Sequence, residues 1–153
     1  YFYPNENVTR EEFIKMLVLA LDITNESAIA KYDDVNENDW FYKYVATAYS
    51  LGITNGMGNN IFGVGYNITR EDMAVFVYKA AKIKGIEFES ETHFEDESAI
   101  SDYARESVIK LGGAKIINGA GDNKFLPKSN ATRAEAATII HNVLSKQIAA
   151  GEE

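Results

Sequence analysis

Apolar residues recur at helical spacing in three stretches of the chain. Counted from Arg10, Arg70 and Arg133, the positions +3, +6, +7, +10 and +11 are apolar in every stretch. This spacing places the apolar side chains on one face of a helix, so it predicts three similar helices that each bury one face. The fifteen residues are Phe13, Met16, Leu17, Ala20, Leu21, Met73, Phe76, Val77, Ala80, Ala81, Ala136, Ile139, Ile140, Val143 and Leu144.

A threonine precedes each of these arginines and predicts where the helix begins. The hydroxyl groups of Thr9, Thr69 and Thr132 can accept a hydrogen bond from an N–H in the first helical turn, which has no partner within the helix. An acidic residue follows three positions later in each stretch and can complete a capping box. These residues are Glu12, Asp72 and Glu135, of which Asp72 has the shortest side chain and is expected to make the weakest box.

The helix starts belong to a longer internal repeat. A phenylalanine lies seven positions before each threonine, at residues 2, 62 and 125. Two copies also share a first half, in which an aromatic residue lies 13 positions before an isoleucine, from Trp40 to Ile53 and from Tyr103 to Ile116. We therefore define the unit as an acidic loop, a helix, a glycine-rich loop and a capped helix.

The unit divides the chain into one domain with three repeats. Residues 1–23 form the second half of repeat 1, 31–85 form repeat 2 and 93–147 form repeat 3, and the chain is expected to start within a repeat. In repeat 2, Asp39 is predicted to cap a helix from Trp40 to about Leu51. Gly52 and Gly85 are predicted to end helices, and residues 147–153 to fray.

Composition narrows the class of function. The chain has 153 residues, 46% of them hydrophobic, which suits one folded domain. Its formal net charge of −8 argues against nucleic acid as the default partner. Cysteine is absent, and no run is long and apolar enough to predict membrane insertion. No cofactor is expected. No metal site is expected either, and the stretch Asp34-x-Asn36-x-Asn38, which resembles the opening of a calcium loop, lacks the glycine and the glutamate that such a loop needs.

The repeated motifs closely resemble the surface-layer homology (SLH) domain of bacterial cell-surface proteins. The resemblance covers nearly the whole chain and rests on several motifs in constant order. They are the acidic-aromatic opening (Tyr32-x-Asp34 and Trp40; Phe94-x-Asp96 and Tyr103), the loops Gly52–Gly56 and Ile116–Gly119, Phe-x-Pro, and the start Thr132-Arg133-Ala134-Glu135. The other two copies depart from this start as Thr-Arg-Glu-Glu and Thr-Arg-Glu-Asp.

The resemblance implies a mostly α-helical fold in which helix–loop–helix repeats form a pseudo-threefold body, here with the first repeat incomplete in its N-terminal half. It implies a non-catalytic domain that anchors a larger extracellular protein to the bacterial cell wall. Its ligand would be a secondary cell-wall polysaccharide, often one with a pyruvate ketal, bound in grooves between repeats with help from the helix-start arginine. Self-association through the incomplete first repeat is a further expectation.

The chemistry of the arginines points the same way. A cation at the first helical position is disfavoured by roughly 0.3–1 kcal/mol, so its repetition at Arg10, Arg70 and Arg133 suggests a role. A guanidinium group beside free N–H groups suits a carboxylate ligand. The alternative is an internal ion pair with an acid of a neighbouring repeat, such as Asp34 or Asp96.

Six further residues are candidates for ligand binding. Trp40 and Tyr103 could stack on a sugar ring or anchor a helix start in the interior. Asp34 and Asp96 could accept sugar hydroxyl groups or serve only to cap and pair. Gly56 and Gly119 could supply a turn with positive φ or let a ligand approach the backbone.

These alternatives leave two main hypotheses and a minor one. The first is a glycan-binding anchor, and the second is a helical scaffold for protein assembly in which the arginines only join repeats. The third is a fragment of a hydrolase with its catalytic part elsewhere. Arginines exposed in a groove beside Trp40 would favour the anchor, whereas arginines buried in carboxylate pairs would favour the scaffold.

Overall fold

The computed structural model describes residues 2–151 and is mostly helical. The helices are α1 (Arg10–Ala20), α2 (Tyr42–Ser50), α3 (Arg70–Ile83), α4 (Asp102–Gly113) and α5 (Arg133–Gly151), with a short 3₁₀ turn at Glu97–Ala99. Extended pairing within the described residues is limited to isolated bridges between loop residues. The predicted helical fold class is therefore confirmed.

The threonine caps lie where the sequence predicts them. Thr9 and Thr69 accept hydrogen bonds from the backbone N–H groups of Glu12 and Asp72. Thr132 accepts one from Glu135 in the same way, at 3.1 Å. Glu12 also accepts from the backbone of Thr9 and completes a capping box. Asp72 is used elsewhere, because both of its carboxylate oxygens bind side chains of other repeats.

Two predicted helix boundaries were wrong. The second helix begins at Tyr42, with no side-chain cap, because the carboxylate of Asp39 accepts the N–H of Asn36 at 2.8 Å and closes a turn ahead of the helix. The last helix does not fray at residue 147 but continues to Gly151, and residues 152–153 lie outside the described part. The ends predicted at Gly52 and Gly85 are confirmed, and both glycines have positive φ.

A closed ring of backbone hydrogen bonds joins the three segments that precede the capped helices. The N–H of Ile68 donates to the carbonyl of Val8, that of Ala131 to Ile68, and that of Val8 to Ala131, at 2.9, 2.9 and 3.2 Å. All three side chains are fully buried. We call these three residues the central ring. It brings the starts of α1, α3 and α5 together, although the pseudo-threefold arrangement of whole repeats stays a prediction.

The remaining helices pack around this ring. α2 packs on α1, α4 packs on α3, and α5 contacts both α1 and α3. The largest fully buried side chains include Phe13, Phe62 and Phe125, of which the last two are the repeated phenylalanines of the loops. Within residues 2–151, no helix has both the length and the apolar character that crossing a membrane requires.

Candidate functional site

Each helix-start arginine reaches an acid at the start of another capped helix. Arg10 pairs with Asp72 at 2.6 Å, Arg70 pairs with Glu135, and Arg133 pairs with Glu12 at 3.5 Å. The three pairs connect the capped helices in a cycle, from α1 to α3, from α3 to α5 and from α5 to α1. The predicted alternative, an internal ion pair with an acid of a neighbouring repeat, is therefore confirmed. The two examples named for it, Asp34 and Asp96, were wrong, because the acids are those that follow each threonine cap by three positions.

The same arginines also hold the phenylalanine loops. The Nε atoms of Arg10, Arg70 and Arg133 donate to the carbonyl oxygens of residues 62, 125 and 2, at 2.9, 2.7 and 2.8 Å. Each guanidinium group lies over the ring of that phenylalanine, 4.9–5.5 Å from its centroid. Such contacts stabilise a cation that is partly removed from water. Arg10 is only 2% exposed, so its structural role is strong.

Asp34 and Asp96 organise the backbone of these loops. Asp34 accepts three hydrogen bonds from the N–H groups of residues 62–64, and Asp96 accepts two from residues 125–126. Burial raises the pKa of each carboxyl, but the N–H donors outweigh it and hold both pKa values below the ordinary range. The structural alternative for these two residues therefore agrees with the geometry.

The two candidate glycines differ in what they require. Gly56 has a φ of +82°, and an added Cβ would lie 2.6 Å from the carbonyl oxygen of Ile61. Gly119 does not have positive φ, so that prediction was wrong. A Cβ at Gly119 would instead meet the carbonyl oxygen of Lys124 at 2.9 Å and the ring of Phe94 at 3.3 Å. The close packing of the loop, not its φ, excludes a side chain at this position.

The first cavity lies between repeats and encloses about 400 Å³. We call it cavity 1. Arg10 and the loop 53–57 line it together with the α3 residues Asp72 and Lys79 and with Tyr103 of α4. The Val75 and Phe76 side chains of α3 complete its wall. The cavity thus brings Arg10, Gly56 and Tyr103, three of the predicted site residues, to one place.

Tyr103 gives cavity 1 an exposed aromatic wall. Tyr103 is 63% exposed, and its hydroxyl donates to Oδ1 of Asp72 at 2.6 Å. Burial of the hydroxyl and this hydrogen bond raise the pKa of Tyr103 well above its usual range. The phenol therefore stays neutral while the carboxylate of Asp72 bridges Tyr103 and Arg10.

A second cavity, cavity 2, encloses about 410 Å³ in the corresponding place between α3 and α5. Arg70, the loop 116–120, Phe125 and Glu135 line it, along with Thr138 and other residues of α5. The Nη2 atom of Arg70 also donates to the carbonyl of Asn118, at 3.3 Å. Cavity 2 thus contains two of the predicted site residues, Arg70 and Gly119.

Trp40 lies apart from cavity 1. It is 57% exposed, so the interior-anchor alternative was wrong. Its ring packs edge-on against Phe41, and the ammonium group of Lys15 lies 5.2 Å from its centroid. Lys15 follows Glu12, the partner of Arg133, by three positions, so Trp40 lies on the same side of α1 as that ion pair.

Three residues that line the cavities were missed as candidates. Asp72 and Glu135 were interpreted only as capping residues, and Lys79 was not singled out at all. A signal was available in the sequence, because an arginine and an acidic residue recur together at every helix start. An arginine at the start of one helix can pair with the acidic residue at the start of another capped helix.

Comparison with known proteins identifies the family. The family model of the S-layer homology domain matches residues 1–14, 31–74 and 93–137 of the chain. The chain belongs to the S-layer homology family. It is 38% identical over 149 residues to "Amylopullulanase" of Thermoanaerobacterium thermosulfurigenes, covering 95% of this chain and 8% of that protein. It is 37% identical over 148 residues to "Exoglucanase XynX" of Acetivibrio thermocellus, covering 95% of this chain and 14% of that protein.

A third relative is a surface protein. "Surface-layer 125 kDa protein" of Lysinibacillus sphaericus is 24% identical over 146 residues, which cover 94% of this chain and 12% of that protein. The chain thus spans 8–14% of the length of these three relatives. The S-layer homology domain is a non-catalytic anchoring module, and the chain corresponds to that part of the relatives named as enzymes. It is an extracellular domain of the cell surface, and cell-wall anchoring is the role that the family supports.

Proposed function

We propose that this S-layer homology domain anchors its protein by binding an anionic, pyruvylated secondary cell-wall polysaccharide in cavities 1 and 2. The observation that carries the proposal is the construction of cavity 1. Its volume of about 400 Å³ falls within the roughly 300–1,000 Å³ of small-ligand sites. It combines an exposed aromatic ring, a glycine-containing loop and cationic side chains, which are the groups that suit a sugar carrying a carboxylate.

Co-sedimentation with purified bacterial cell walls tests this proposal. Binding should be lost when the non-peptidoglycan polymer is extracted from the walls. The extracted polymer, added in soluble form, should compete with untreated walls for the domain. Binding that survives extraction would overturn the polysaccharide as ligand, and so would a failure to bind untreated walls.

Two occluding substitutions locate the binding. Asn55 and Asn118 are exposed residues at equivalent places in the loops of cavities 1 and 2. Asn55→Trp and Asn118→Trp should each fill one cavity without disturbing a buried side chain. A domain whose two cavities carry the binding should lose it in the double variant, with its helical circular dichroism unchanged.

The ion pairs favour one alternative function, a scaffold for protein assembly. The simplest role for the helix-start arginines is to hold the repeats together, because each of them binds an acid of another repeat. The criterion of buried or exposed arginines does not separate the two functions, because Arg10 is both buried in a carboxylate pair and part of the wall of cavity 1. On the scaffold hypothesis, the occluded double variant and the parent domain sediment equally with walls.

Self-association of the domain is a separate proposal. Leu19 of α1 is 50% exposed, and it lies on the helix that also carries the Lys15–Trp40 contact. Sedimentation velocity over a range of protein concentrations should show a dimer that Leu19→Lys weakens. A single monomeric species at every concentration would contradict this proposal.

A further inference from the structure

We propose that Lys79 makes cavity 1 more selective for the anionic sugar than cavity 2, because it adds a positive charge to the arginine that both cavities contain. This inference rests on the function proposed above, since it names the residue that recognises the charge of that ligand. Its basis is the difference in charge between two cavities of nearly equal volume.

The arginines are already compensated in both cavities. In cavity 1 the charge of Arg10 is balanced by Asp72 at 2.6 Å, and in cavity 2 that of Arg70 is balanced by Glu135. An incoming carboxylate would have to compete with an acid that is held in place, which offsets much of the attraction of the guanidinium group. The net charge contributed by each arginine and its partner is therefore zero.

Lys79 is the additional charge in cavity 1. It follows Asp72 by seven positions and Phe76 by three, so helical geometry places all three on the same face of α3. Its side chain is partly exposed and lines the cavity. Among residues 2–151 its ammonium group has no ion pair or hydrogen bond. With Arg10, Asp72 and Lys79 as its charged lining residues, cavity 1 has a net charge of +1.

Cavity 2 has no corresponding cation. Lys79 is nine positions after Arg70, and the residue nine positions after Arg133 in α5 is Asn142. The amide of Asn142 donates to the carbonyl of Ile116 at 3.0 Å, so it is both neutral and occupied. The charged residues that line cavity 2 are Arg70 and Glu135, whose charges cancel.

The test uses a methyl hexoside that carries a pyruvate ketal and, as the neutral probe, its methyl ester. Binding is followed by the backbone amide NMR signals of Asn55–Met57 for cavity 1 and Asn118–Ala120 for cavity 2. At low salt, the acid should bind cavity 1 at least about tenfold more tightly than the ester, as expected for a hydrogen bond to a charged group. The preference of cavity 2 for the acid should be clearly smaller than that of cavity 1.

Substitutions then identify the source of the selectivity. Lys79→Asn should reduce the preference of cavity 1 for the acid to that of cavity 2, while Lys79→Arg should keep most of the preference. Lys82→Asn is the matched control, because it removes the same charge from the same helix but does not line cavity 1. It should leave binding of the acid unchanged.

The outcomes separate this inference from the proposed function. If neither probe binds the parent domain at either cavity, the proposed function fails. If the acid binds the parent and Lys79→Asn equally well, or prefers cavity 2, the role of Lys79 is overturned while glycan binding stands. A loss in Lys82→Asn equal to that in Lys79→Asn would also overturn it, since general attraction of the anion would then explain the selectivity.

Discussion

Removing the carboxylate of Asp34 should destabilise the domain more than removing that of Asp96. Asp34 accepts hydrogen bonds from three consecutive N–H groups of residues 62–64, at 2.8–2.9 Å. Asp96 holds the equivalent loop through only two, from residues 125–126, both at 2.8 Å. The next residue is Pro127, and proline has no N–H to donate. The chain thus contains a matched pair of loops that differ by one hydrogen bond.

The magnitude follows from the number of N–H groups left without an acceptor. A buried N–H that loses its partner costs about 1–3 kcal/mol, and less where water can replace the acceptor. Phe62 and Gly63 are buried, whereas Leu126 is exposed. We therefore expect Asp34→Ala to cost about 3–5 kcal/mol and Asp96→Ala about 2 kcal/mol. The carbonyl of Phe62 also accepts from Arg10, so the loss should loosen that contact too.

The cost should depend on pH in a known direction. The pKa of Asp34 is lower in the folded state than its ordinary value of 3.8. Its carboxylate therefore contributes stability that is fully present above pH 3.8 and is lost as the pH falls through the folded-state pKa. The difference in unfolding free energy between the parent and Asp34→Ala should be constant from neutral pH to about pH 5 and shrink at more acidic pH.

Urea unfolding followed by circular dichroism measures these differences. The two alanine variants and the parent are compared at neutral pH and at several acidic pH values, with the unfolding free energy extrapolated to water. The reasoning would be refuted if Asp96→Ala proved as destabilising as Asp34→Ala. A cost of Asp34→Ala that grows as the pH falls would refute the assigned direction of the pKa.

Three further predictions concern binding, backbone geometry and the central ring. Arg70→Ala should weaken wall binding at least a few-fold in co-sedimentation with helix content unchanged, and a variant that unfolds instead would support a purely structural arginine. Gly56→Ala should lower the midpoint temperature of thermal unfolding clearly more than Gly52→Ala. Both glycines have positive φ, but only at Gly56 would the added Cβ lie 2.6 Å from a backbone atom. Ile68→Ala should cost about 2–5 kcal/mol in urea unfolding, because it leaves a cavity at a fully buried site, and a cost below about 1 kcal/mol would contradict a tightly packed ring.

Local signals in the sequence were enough for the helices and the family. The threonine caps, the apolar face and the glycine at a helix end act over a few residues, so they can be interpreted without knowing the fold. The start of α2 was missed because Asp39 can serve equally well in a cap or in a turn with Asn36. Nothing in the local sequence decides between two acceptable partners for one carboxylate.

The repeat by itself placed the charged residues at the helix starts, and only the tertiary structure decided how they pair. The sequence placed an arginine and an acid at each helix start, and it marked Tyr103 and the glycine loops as candidates. It could not say that Arg10 pairs with Asp72, 62 positions away, because that contact exists only when the central ring brings the capped helices together. The charge of a cavity is likewise a sum over residues distant in the chain. Only the fold shows that Lys79 lines the same cavity as Arg10 and Asp72.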